Sequence, residues 1–198
     1  MNGRIFLALL AAGKANRFGG DKLDVSVNGR PLGRIALDAL RSLDLGVPTI
    51  VTGEAIPAFA KAAQAAGEAM LAVNARADSG IGTSVALAAE CAEQRGCSAL
   101  LLALADMPAL RPDTLRALIA GVAPGRPAAV RYPGGAGIPA CFPADFYSRL
   151  KELGNDRGAS AILRQGKTTR LIDTPYAELR DIDTREDLAA FRDETPLP

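Results

Sequence analysis

Histidine is absent from the 198-residue sequence. Without an imidazole, the chain cannot form a Ser–His–Asp triad, a Cys–His dyad or a histidine-ligated metal site. Any acid–base, nucleophilic or metal chemistry must therefore use carboxylates, lysine, arginine, hydroxyl groups, a thiol or a bound ion. This absence excludes several enzyme classes before any motif is considered.

Cysteine is scarce: the sequence has three, Cys91, Cys97 and Cys141, and none of them forms a C-x-x-C pair. This pattern argues against a disulfide framework and against a thiolate zinc site, and free thiols fit a reducing cytoplasm. A long apolar run is missing too. The short apolar run at 1–10 contains Arg4 and is too short to cross a bilayer. We therefore expect a cytoplasmic protein that does not interact with a membrane.

An excess of charge of either sign is also missing. Lys and Arg total 23, Asp and Glu total 22, and the formal net charge is +1. This balance gives no reason to expect a nucleic-acid partner. The hydrophobic fraction of 48% and the charged fraction of 23% are ordinary for a globular protein. A chain of this length typically forms one domain, so residues 1–198 are predicted to form a single domain.

Short apolar runs alternate with helical patterns along the chain. Strands are predicted at 4–10, 48–52, 69–73, 98–104, 127–132 and 139–142. Helices are predicted at 32–43, 56–66, 83–95, 112–120, 145–153, 159–164 and 184–191. Thr83 or Ser84 is expected to cap the third helix, and Thr184 with Asp187 resembles a capping box for the last one. This alternation predicts an α/β domain with a mostly parallel sheet.

Three segments are candidate binding sites because ligands of open α/β sheets lie beyond the carboxyl ends of the strands. They follow Leu10, Val73 and Leu104. The first, at 11–22, contains three glycines together with Arg17 and Lys22. Glycines allow a close approach of backbone N–H groups to an anion, and the two cations favour a phosphate-rich ligand. The alternative is a flexible basic surface loop, and neither a Walker P-loop nor a dinucleotide fingerprint fits the spacing.

Carboxylates follow the most strand-like run and precede the last helix. Asp106 stands directly after the run at 98–104, where Mg²⁺ bridged to ligand phosphates commonly lies, although it could instead cap the next turn. Asp181 and Asp183 share one side if the backbone is extended, and one of them could join Asp106 on a metal ion. The alternative is that Asp183 helps to cap the last helix while Asp181 is solvated.

Two turns containing glycine precede helices, at 80–84 and at 154–159. The first could bind an anion or a nucleobase edge at a helix N-terminus, or serve as an N-cap alone. The second could contact a substrate or simply connect two helices.

Taken together, these segments resemble the molybdenum cofactor nucleotidyltransferase family, the MobA-like NTP transferases. The matches are L-A-A-G-x-S-x-R-x-G with its following lysine at 10–22, G-x-P-L at 29–32, L-A-D-x-P at 104–108, G-x-P at 137–139, G-D-x-G-A at 155–159 and D-I-D-T at 181–184. The chain departs from this pattern at Ala15, where the motif has serine, and at Asn155, where it has glycine. An arginine often found before the G-x-P strand is also missing.

The resemblance implies a three-layer, doubly wound fold with a mostly parallel sheet, the Rossmann-like variant of nucleotide-diphospho-sugar transferases and glycosyltransferase-A enzymes. A nucleotide-binding half would span about 1–110 and an acceptor-binding half about 111–198. The catalytic residues it implies are Arg17, Lys22 and Asp106. The metal ligands are Asp106 and Asp183. The nucleotide-binding residues are Leu10, Ala11, Ala12, Gly13, Arg17, Lys22, Thr52, Gly80, Ser84 and Asp106. The acceptor-binding residues are Gly137, Pro139, Asp156 and Gly158.

The activity implied is Mg²⁺-dependent transfer of a nucleoside monophosphate to the phosphate of molybdopterin, with release of pyrophosphate. Guanylyl-transferring relatives have glycine at the position of Ala12, and the cytidylyl-transferring ones resemble this chain, so CTP is favoured over GTP. A molybdoenzyme or its chaperone would be the partner that receives the product. The alternatives are a sugar phosphate or polyol phosphate acceptor, GTP as the substrate, and a nucleotide- or cofactor-binding protein without catalysis.

Overall fold

The computed structural model of the chain describes residues 3–13, 18–154, 157–165 and 168–194. Within these ranges the strands are β1 (Ile5–Leu10), β2 (Ser26–Val27), β3 (Arg30–Pro31), β4 (Thr49–Thr52), β5 (Met70–Val73), β6 (Ala99–Leu104), β7 (Ala128–Tyr132), β8 (Gly135–Pro143) and β9 (Arg170–Ile172). The α-helices are α1 (Leu32–Arg41), α2 (Ala58–Ala65), α3 (Ile81–Gln94), α4 (Pro112–Gly121), α5 (Tyr147–Lys151), α6 (Ser160–Gln165) and α7 (Arg185–Glu194). Short 3₁₀ turns lie at Lys22–Asp24, Ala77–Ser79, Ala144–Phe146 and Tyr176–Leu179.

The central sheet has seven strands in the order β5-β4-β1-β6-β8-β7-β9. The pairs β5–β4, β4–β1, β1–β6 and β7–β9 are parallel, and β8 is antiparallel to both β6 and β7. The prediction of a mostly parallel sheet is therefore confirmed. Because β8 runs against its neighbours, its first residues lie at the same sheet edge as the last residues of β1, β4 and β6.

The central strands are buried on both faces, which explains their nearly continuous apolar sequences. On β1, Leu7 and Leu9 join a core with α1, α2 and α4, whereas Phe6 and Ala8 join a second core with α3, α5 and α6. Helices thus cover both faces of the sheet, and the three-layer, doubly wound architecture is confirmed. In the part of the chain that the structure describes, no helix is long and apolar enough to span a membrane.

A small hairpin outside the central sheet was not predicted. Strands β2 and β3 pair around Asn28 and Gly29, whose φ angles are +49° and +80°. An Asn-Gly pair with two positive φ angles suits a tight two-residue hairpin turn. Val27 of this hairpin packs with Phe18 and with apolar residues of α7 in a third buried cluster. Phe18 precedes Lys22 in the chain and Val27 follows it, so this cluster anchors the chain on both sides of Lys22.

The predicted cap of the third helix is wrong, whereas the predicted capping box of the last helix is confirmed. Helix α3 begins at Ile81, so Thr83 and Ser84 lie inside its first turn and are buried. The helix begins earlier than predicted, directly after Gly80. The φ angle of Gly80 is +113°, which a glycine adopts without strain. At α7, Asp187 Oδ2 accepts the Thr184 N–H at 2.7 Å, and Thr184 Oγ1 accepts the Asp187 N–H at 3.1 Å.

Two other boundaries differ from the predictions. Strand β8 begins at Gly135 rather than at residue 139, so Gly135 and Gly137 are part of the sheet, whereas Gly134 lies in the turn between β7 and β8. Strand β9 was not predicted, and it pairs with β7 at the far edge of the sheet. Both differences lie in the second half of the chain, where strands are completed by tertiary pairing rather than by a strong local pattern.

Candidate active site

The carboxyl ends of β1, β4 and β6 meet at one edge of the sheet. The Ala11 N–H donates to Val51 O at 2.8 Å, and the Ala105 N–H donates to Leu10 O at 3.0 Å. These bonds continue the parallel ladder beyond the strands. They bring the loop that follows β1 next to the turn that carries Asp106. Two of the three predicted binding segments are therefore neighbours in space.

Three predicted site residues, Lys22, Asp106 and Asp183, are in direct contact at this edge. The Lys22 ammonium lies 2.8 Å from Oδ2 of Asp106 and 3.0 Å from Oδ1 of Asp183. The Lys22 side chain is only 10% exposed, compared with 23% for Asp106 and 43% for Asp183. The cluster therefore opens toward solvent on the side of Asp183.

Lys22 is held by a 3₁₀ turn that is tied to a helix on the flank of the sheet. Asp24 accepts hydrogen bonds at 2.7 Å from the N–H groups of both Ala58 and Phe59, at the start of α2. The Lys22 N–H donates to Gly20 O at 2.7 Å. An acidic side chain at a helix N-terminus satisfies donors that have no intrahelical partner. Asp24 thus fixes the backbone from which the Lys22 side chain extends.

The pKa values of this cluster follow from burial and charge. Burial alone would lower the pKa of Lys22, but the charges and hydrogen bonds of Asp106 and Asp183 outweigh it and raise that pKa above its ordinary value. Burial raises the pKa of Asp181, and the neighbouring charges of Asp183 and Asp106 raise it further. Lys22 is therefore fully charged at neutral pH.

The carboxylates suit a divalent cation that also binds a substrate. Asp106 Oδ1 is buried, and it has no hydrogen-bond partner among the described residues. Within those same residues no group of three or more acidic or thiol side chains could hold a metal ion. Mg²⁺ is typically bound through one or two carboxylates while substrate phosphates complete its shell. The pair Asp106 and Asp183 fits that donor set.

A buried polar cluster lies at the ends of β4 and β5, on the same edge of the sheet as Asp106. Asn74 Nδ2 donates to Thr83 Oγ1 at 2.8 Å and to Ser84 Oγ at 2.9 Å, and the Asn74 N–H donates to Thr52 O at 2.8 Å. Thr52 is fully buried, and in the described part of the chain its Oγ1 has no hydrogen-bond partner. Two predicted nucleotide-binding residues, Thr52 and Ser84, are thus linked through Asn74.

The remaining nucleotide-binding predictions concern the backbone at this edge. Leu10 and Ala11 are buried at the end of β1, whereas Ala12 is half-buried and Gly13 is exposed. A Cβ added at Gly13 would have no described atom within 4 Å, apart from atoms of Gly13 and of the residues on either side of it. The backbone there is therefore open. Arg17 and, on the acceptor side, Asp156 lie outside the described residues.

The predicted acceptor residues Gly137 and Pro139 are both buried in β8. A Cβ added at Gly137 would lie 2.6 Å from the Tyr132 ring, and the Tyr132 hydroxyl donates to Ile138 O at 2.8 Å. Gly137 is therefore required for the packing of Tyr132. Burial, together with the charges of Asp181, Tyr176 and Asp106, raises the pKa of Tyr132 to about 12, so this side chain stays protonated.

Gly158, the other described acceptor residue, lies near the start of α3. A Cβ added there would be 3.3 Å from Ile81 Cγ2. The turn before α6 is therefore close to the turn that carries Gly80. This contact brings a predicted acceptor segment beside a predicted nucleotide segment.

An arginine that the sequence analysis did not select lies along the β7–β8 turn. The Arg164 side chain is exposed, and its Nε is 4.0 Å from a Cβ added at Gly135. It borders an open cavity of about 440 Å³ between this turn, α6 and β9. The sequence lacks an arginine directly before Gly137, and Arg164 of α6 lies beside the turn that precedes it.

Family membership follows from comparison with known proteins. The model of the MobA-like NTP transferase domain matches residues 7–170. The chain belongs to the MobA-like NTP transferase family. This match covers the segments that carry Lys22 and Asp106, and it confirms the resemblance predicted from the motifs.

Two kinds of relative support this assignment. The purine catabolism protein PucB of Bacillus subtilis is 32% identical over 192 residues, covering 92% of this chain and 93% of PucB. A nucleotidyl transferase of Methanothermobacter thermautotrophicus superimposes with a TM-score of 0.83 at 22% identity, covering 98% of each chain. Rv0371c of Mycobacterium tuberculosis, solved as a manganese complex, superimposes with a TM-score of 0.74 at 23% identity, covering 97% of this chain and all of Rv0371c. The two structural matches show that this chain shares their fold.

Sequence reasoning missed three residues that lie around the candidate site of this MobA-like domain: Asn74, Asp24 and Arg164. Asn74 could have been found, because a polar residue directly after a strand lies at the ligand-binding edge. Asp24 and Arg164 act on segments distant in the chain, so no local signal identifies them.

Proposed function

We propose that this MobA-like NTP transferase transfers CMP from CTP to the phosphate of molybdopterin and releases pyrophosphate. The observation that carries the proposal is the Lys22 ammonium, held between Asp106 and Asp183 at the carboxyl edge of the sheet. A cation and two carboxylates at this place suit a triphosphate accompanied by a divalent cation. The assignment of about 1–110 to nucleotide binding and 111–198 to the acceptor belongs to this proposal.

In the proposed reaction, an oxygen of the acceptor phosphate attacks the α-phosphorus of CTP. The bond between that phosphorus and the oxygen bridging to the β-phosphorus breaks, and pyrophosphate leaves with the bond's electron pair. A phosphate acceptor is already largely ionised near neutral pH. No imidazole or other strong base is therefore needed, in keeping with a chain that has no histidine.

The residues of the chain serve this reaction by positioning and by charge. Lys22 would bind the triphosphate as a point charge, and Arg17 is proposed to join it. The open backbone at Gly13, with the half-buried Ala12 before it, would approach the phosphates closely. Loss of one such charged contact typically costs about 3 kcal/mol in the transition state.

Asp106 and Asp183 would hold Mg²⁺, which would neutralise charge on the phosphates when bound. The carboxylate donors and the buried, unpartnered Oδ1 of Asp106 support this assignment. The manganese complex of Rv0371c is a further indication that the fold accommodates a divalent cation.

The choice of CTP rests on Ala12 and on the buried cluster around Asn74. A methyl group at Ala12 would narrow the space near the base, which favours the smaller pyrimidine. Thr52 Oγ1 and Ser84 Oγ provide hydroxyl groups at the same edge. We propose that a molybdoenzyme or its chaperone receives the product. The name of the Bacillus relative, purine catabolism protein PucB, places that relative in purine catabolism.

Pyrophosphate release tests the proposal. Wild-type protein is assayed with each of the four NTPs and Mg²⁺ against molybdopterin, a sugar phosphate and a polyol phosphate. We expect release with CTP and molybdopterin, and a fall of at least a hundredfold in Asp106→Asn. The exposed Asp113→Asn is the matched control and should retain full activity.

The same assay separates the alternatives. Release only with a sugar phosphate or a polyol phosphate would overturn the molybdopterin assignment, an acceptor class that remains open because no arginine directly precedes Gly137. Release with GTP alone would overturn the base assignment. Tight CTP binding without turnover on any acceptor would instead indicate a binding protein.

A further inference from the structure

Lys22 occupies the position between the two carboxylates that are proposed to hold the cation. Its ammonium is within hydrogen-bond distance of Oδ2 of Asp106 and Oδ1 of Asp183, at 2.8 Å and 3.0 Å. A divalent ion bound to those same oxygens would lie in contact with the ammonium. The two positive charges repel each other strongly at such a distance in a partly buried site. Each cation therefore weakens binding of the other at these two oxygens.

We infer that Lys22 and the divalent cation compete for Asp106 and Asp183, and that the cation binds tightly only when nucleotide phosphates take over the Lys22 ammonium. This inference rests on the proposed function, and it deepens it by making the cation and the nucleotide bind interdependently. By linkage, each of the two ligands then strengthens binding of the other by the same factor.

The exchange requires only a rotation of the Lys22 side chain. The backbone of Lys22 is fixed by the bond from its N–H to Gly20 O at 2.7 Å, and Asp24 ties the same turn to α2. A lysine has four flexible methylene groups between this backbone and its ammonium. Asp183 is the most exposed member of the cluster at 43%, so phosphates and a cation can approach from its side.

The lysine is an incomplete partner for Asp106, which favours its replacement there. It bonds Oδ2 of Asp106, whereas Oδ1 of that residue is buried and has no hydrogen-bond partner among the described residues. A buried acceptor without a partner is costly. A ligand that engages Oδ1 as well therefore gains what the ammonium leaves unsatisfied, provided that the ammonium finds a new anion.

Mn²⁺ binding without any nucleotide tests the competition directly. Free Mn²⁺ is titrated by electron paramagnetic resonance into wild type, Lys22→Met, Lys22→Gln and the exposed control Lys61→Met. We expect both Lys22 variants to bind Mn²⁺ at least about tenfold more tightly than wild type, a typical coupling factor. Lys61→Met should match wild type, and adding Asp106→Asn to Lys22→Met should abolish the gain. Equal or weaker Mn²⁺ binding by the folded Lys22 variants would overturn the inference.

A second titration distinguishes this inference from the proposed function. The affinity for a non-hydrolysable CTP analogue is measured with and without Mn²⁺, and we expect Mn²⁺ to strengthen it far more in wild type than in Lys22→Met. Failure of wild type to bind the analogue would refute the proposed substrate, while the nucleotide-free titration would still decide the competition. CTP turnover combined with unchanged Mn²⁺ affinity in the Lys22 variants would refute the competition alone.

Discussion

The Ile182 N–H donates to the carbonyl oxygen of Asp106 at 3.0 Å. This bond joins the turn after β6 to the segment before α7, and Asp183 follows Ile182 directly in the chain. The Ile182 side chain is fully buried against Phe18 and Leu188. Both proposed cation ligands are therefore placed by backbone bonding and by packing.

Removing the Ile182 side chain should disturb the cation site more than a comparable loss nearby. We expect Ile182→Ala to lower the free energy of unfolding by about 3 kcal/mol, because it leaves a cavity in a buried cluster. Leu188→Ala is the control, since it opens the same cluster without adjoining Asp183. Below the unfolding temperature of both variants, Mn²⁺ affinity with CTP present should fall in Ile182→Ala only. An equal fall in both would contradict this role.

Removing the Thr52 hydroxyl should raise the stability of the fold and lower the affinity for CTP. Its buried Oγ1 has no partner within the described residues, and replacing an unsatisfied hydroxyl by a methyl group is neutral or stabilising. We therefore expect Thr52→Val to gain up to about 1 kcal/mol in unfolding free energy, and to lose about tenfold in CTP affinity by calorimetry. Thr49→Val is the matched control: Thr49 Oγ1 already accepts from Arg95, so no gain is expected. Unchanged CTP affinity in Thr52→Val would remove Thr52 from the binding site.

Even the smallest substitution of Gly137, to alanine, should destabilise the fold. A Cβ there would lie 2.6 Å from the Tyr132 ring, so we expect Gly137→Ala to cost about 2 kcal/mol in chemical denaturation through overpacking. Gly134→Ala is the control, because no described atom outside its chain neighbours lies within 4 Å of the new Cβ. In the double variant with Tyr132→Ala, the added cost of Gly137→Ala should vanish. A cost that persists would show that the ring is not the cause.

The places where sequence reasoning succeeded and failed have physical causes. Lys22 and Asp106 were expected at one edge because the segments that carry them follow strands of the parallel sheet. Asp183 was expected to join Asp106 because the resemblance to the family implies that both hold a metal ion. The β2–β3 hairpin was missed although Asn28-Gly29 is a strong turn signal, since two-residue strands have no periodicity to detect. Thr83 was taken for a cap because φ at Gly80 cannot be read from a sequence.

Long-range contacts account for what else was missed. Asp24 belongs to the site through bonds to α2, and neither its neighbours nor its spacing indicate such a partner. The Tyr132 ring covers Gly137 only after β7 and β8 have paired. In both cases the residue type was compatible with many positions, and tertiary structure selected one.

Alkaline pH should weaken the fold through Cys141. Burial raises the pKa of this thiol from 9.0 to about 12. Between those values the unfolded chain has lost the thiol proton while the folded chain retains it, so stability decreases as pH rises. From pH 8 to pH 10 we expect this residue to account for a loss of about 1 kcal/mol. Urea unfolding of Cys141→Ala should show a shallower pH dependence than wild type, and identical slopes would contradict the assignment.

Arg164 should act on the acceptor and not on the nucleotide. Its guanidinium lies beside the β7–β8 turn, at the sheet edge that carries Asp106, and it borders the cavity of about 440 Å³. A hydrogen bond to a charged group contributes about 1.5–3 kcal/mol, so we expect Arg164→Ala to raise the acceptor KM at least tenfold. The KM for CTP should stay unchanged, and Arg164→Lys should recover part of the loss because it keeps the charge. The exposed Arg111→Ala is the control for a general loss of positive charge. A rise in the CTP KM instead would place Arg164 with the nucleotide and leave the acceptor phosphate to a different cation.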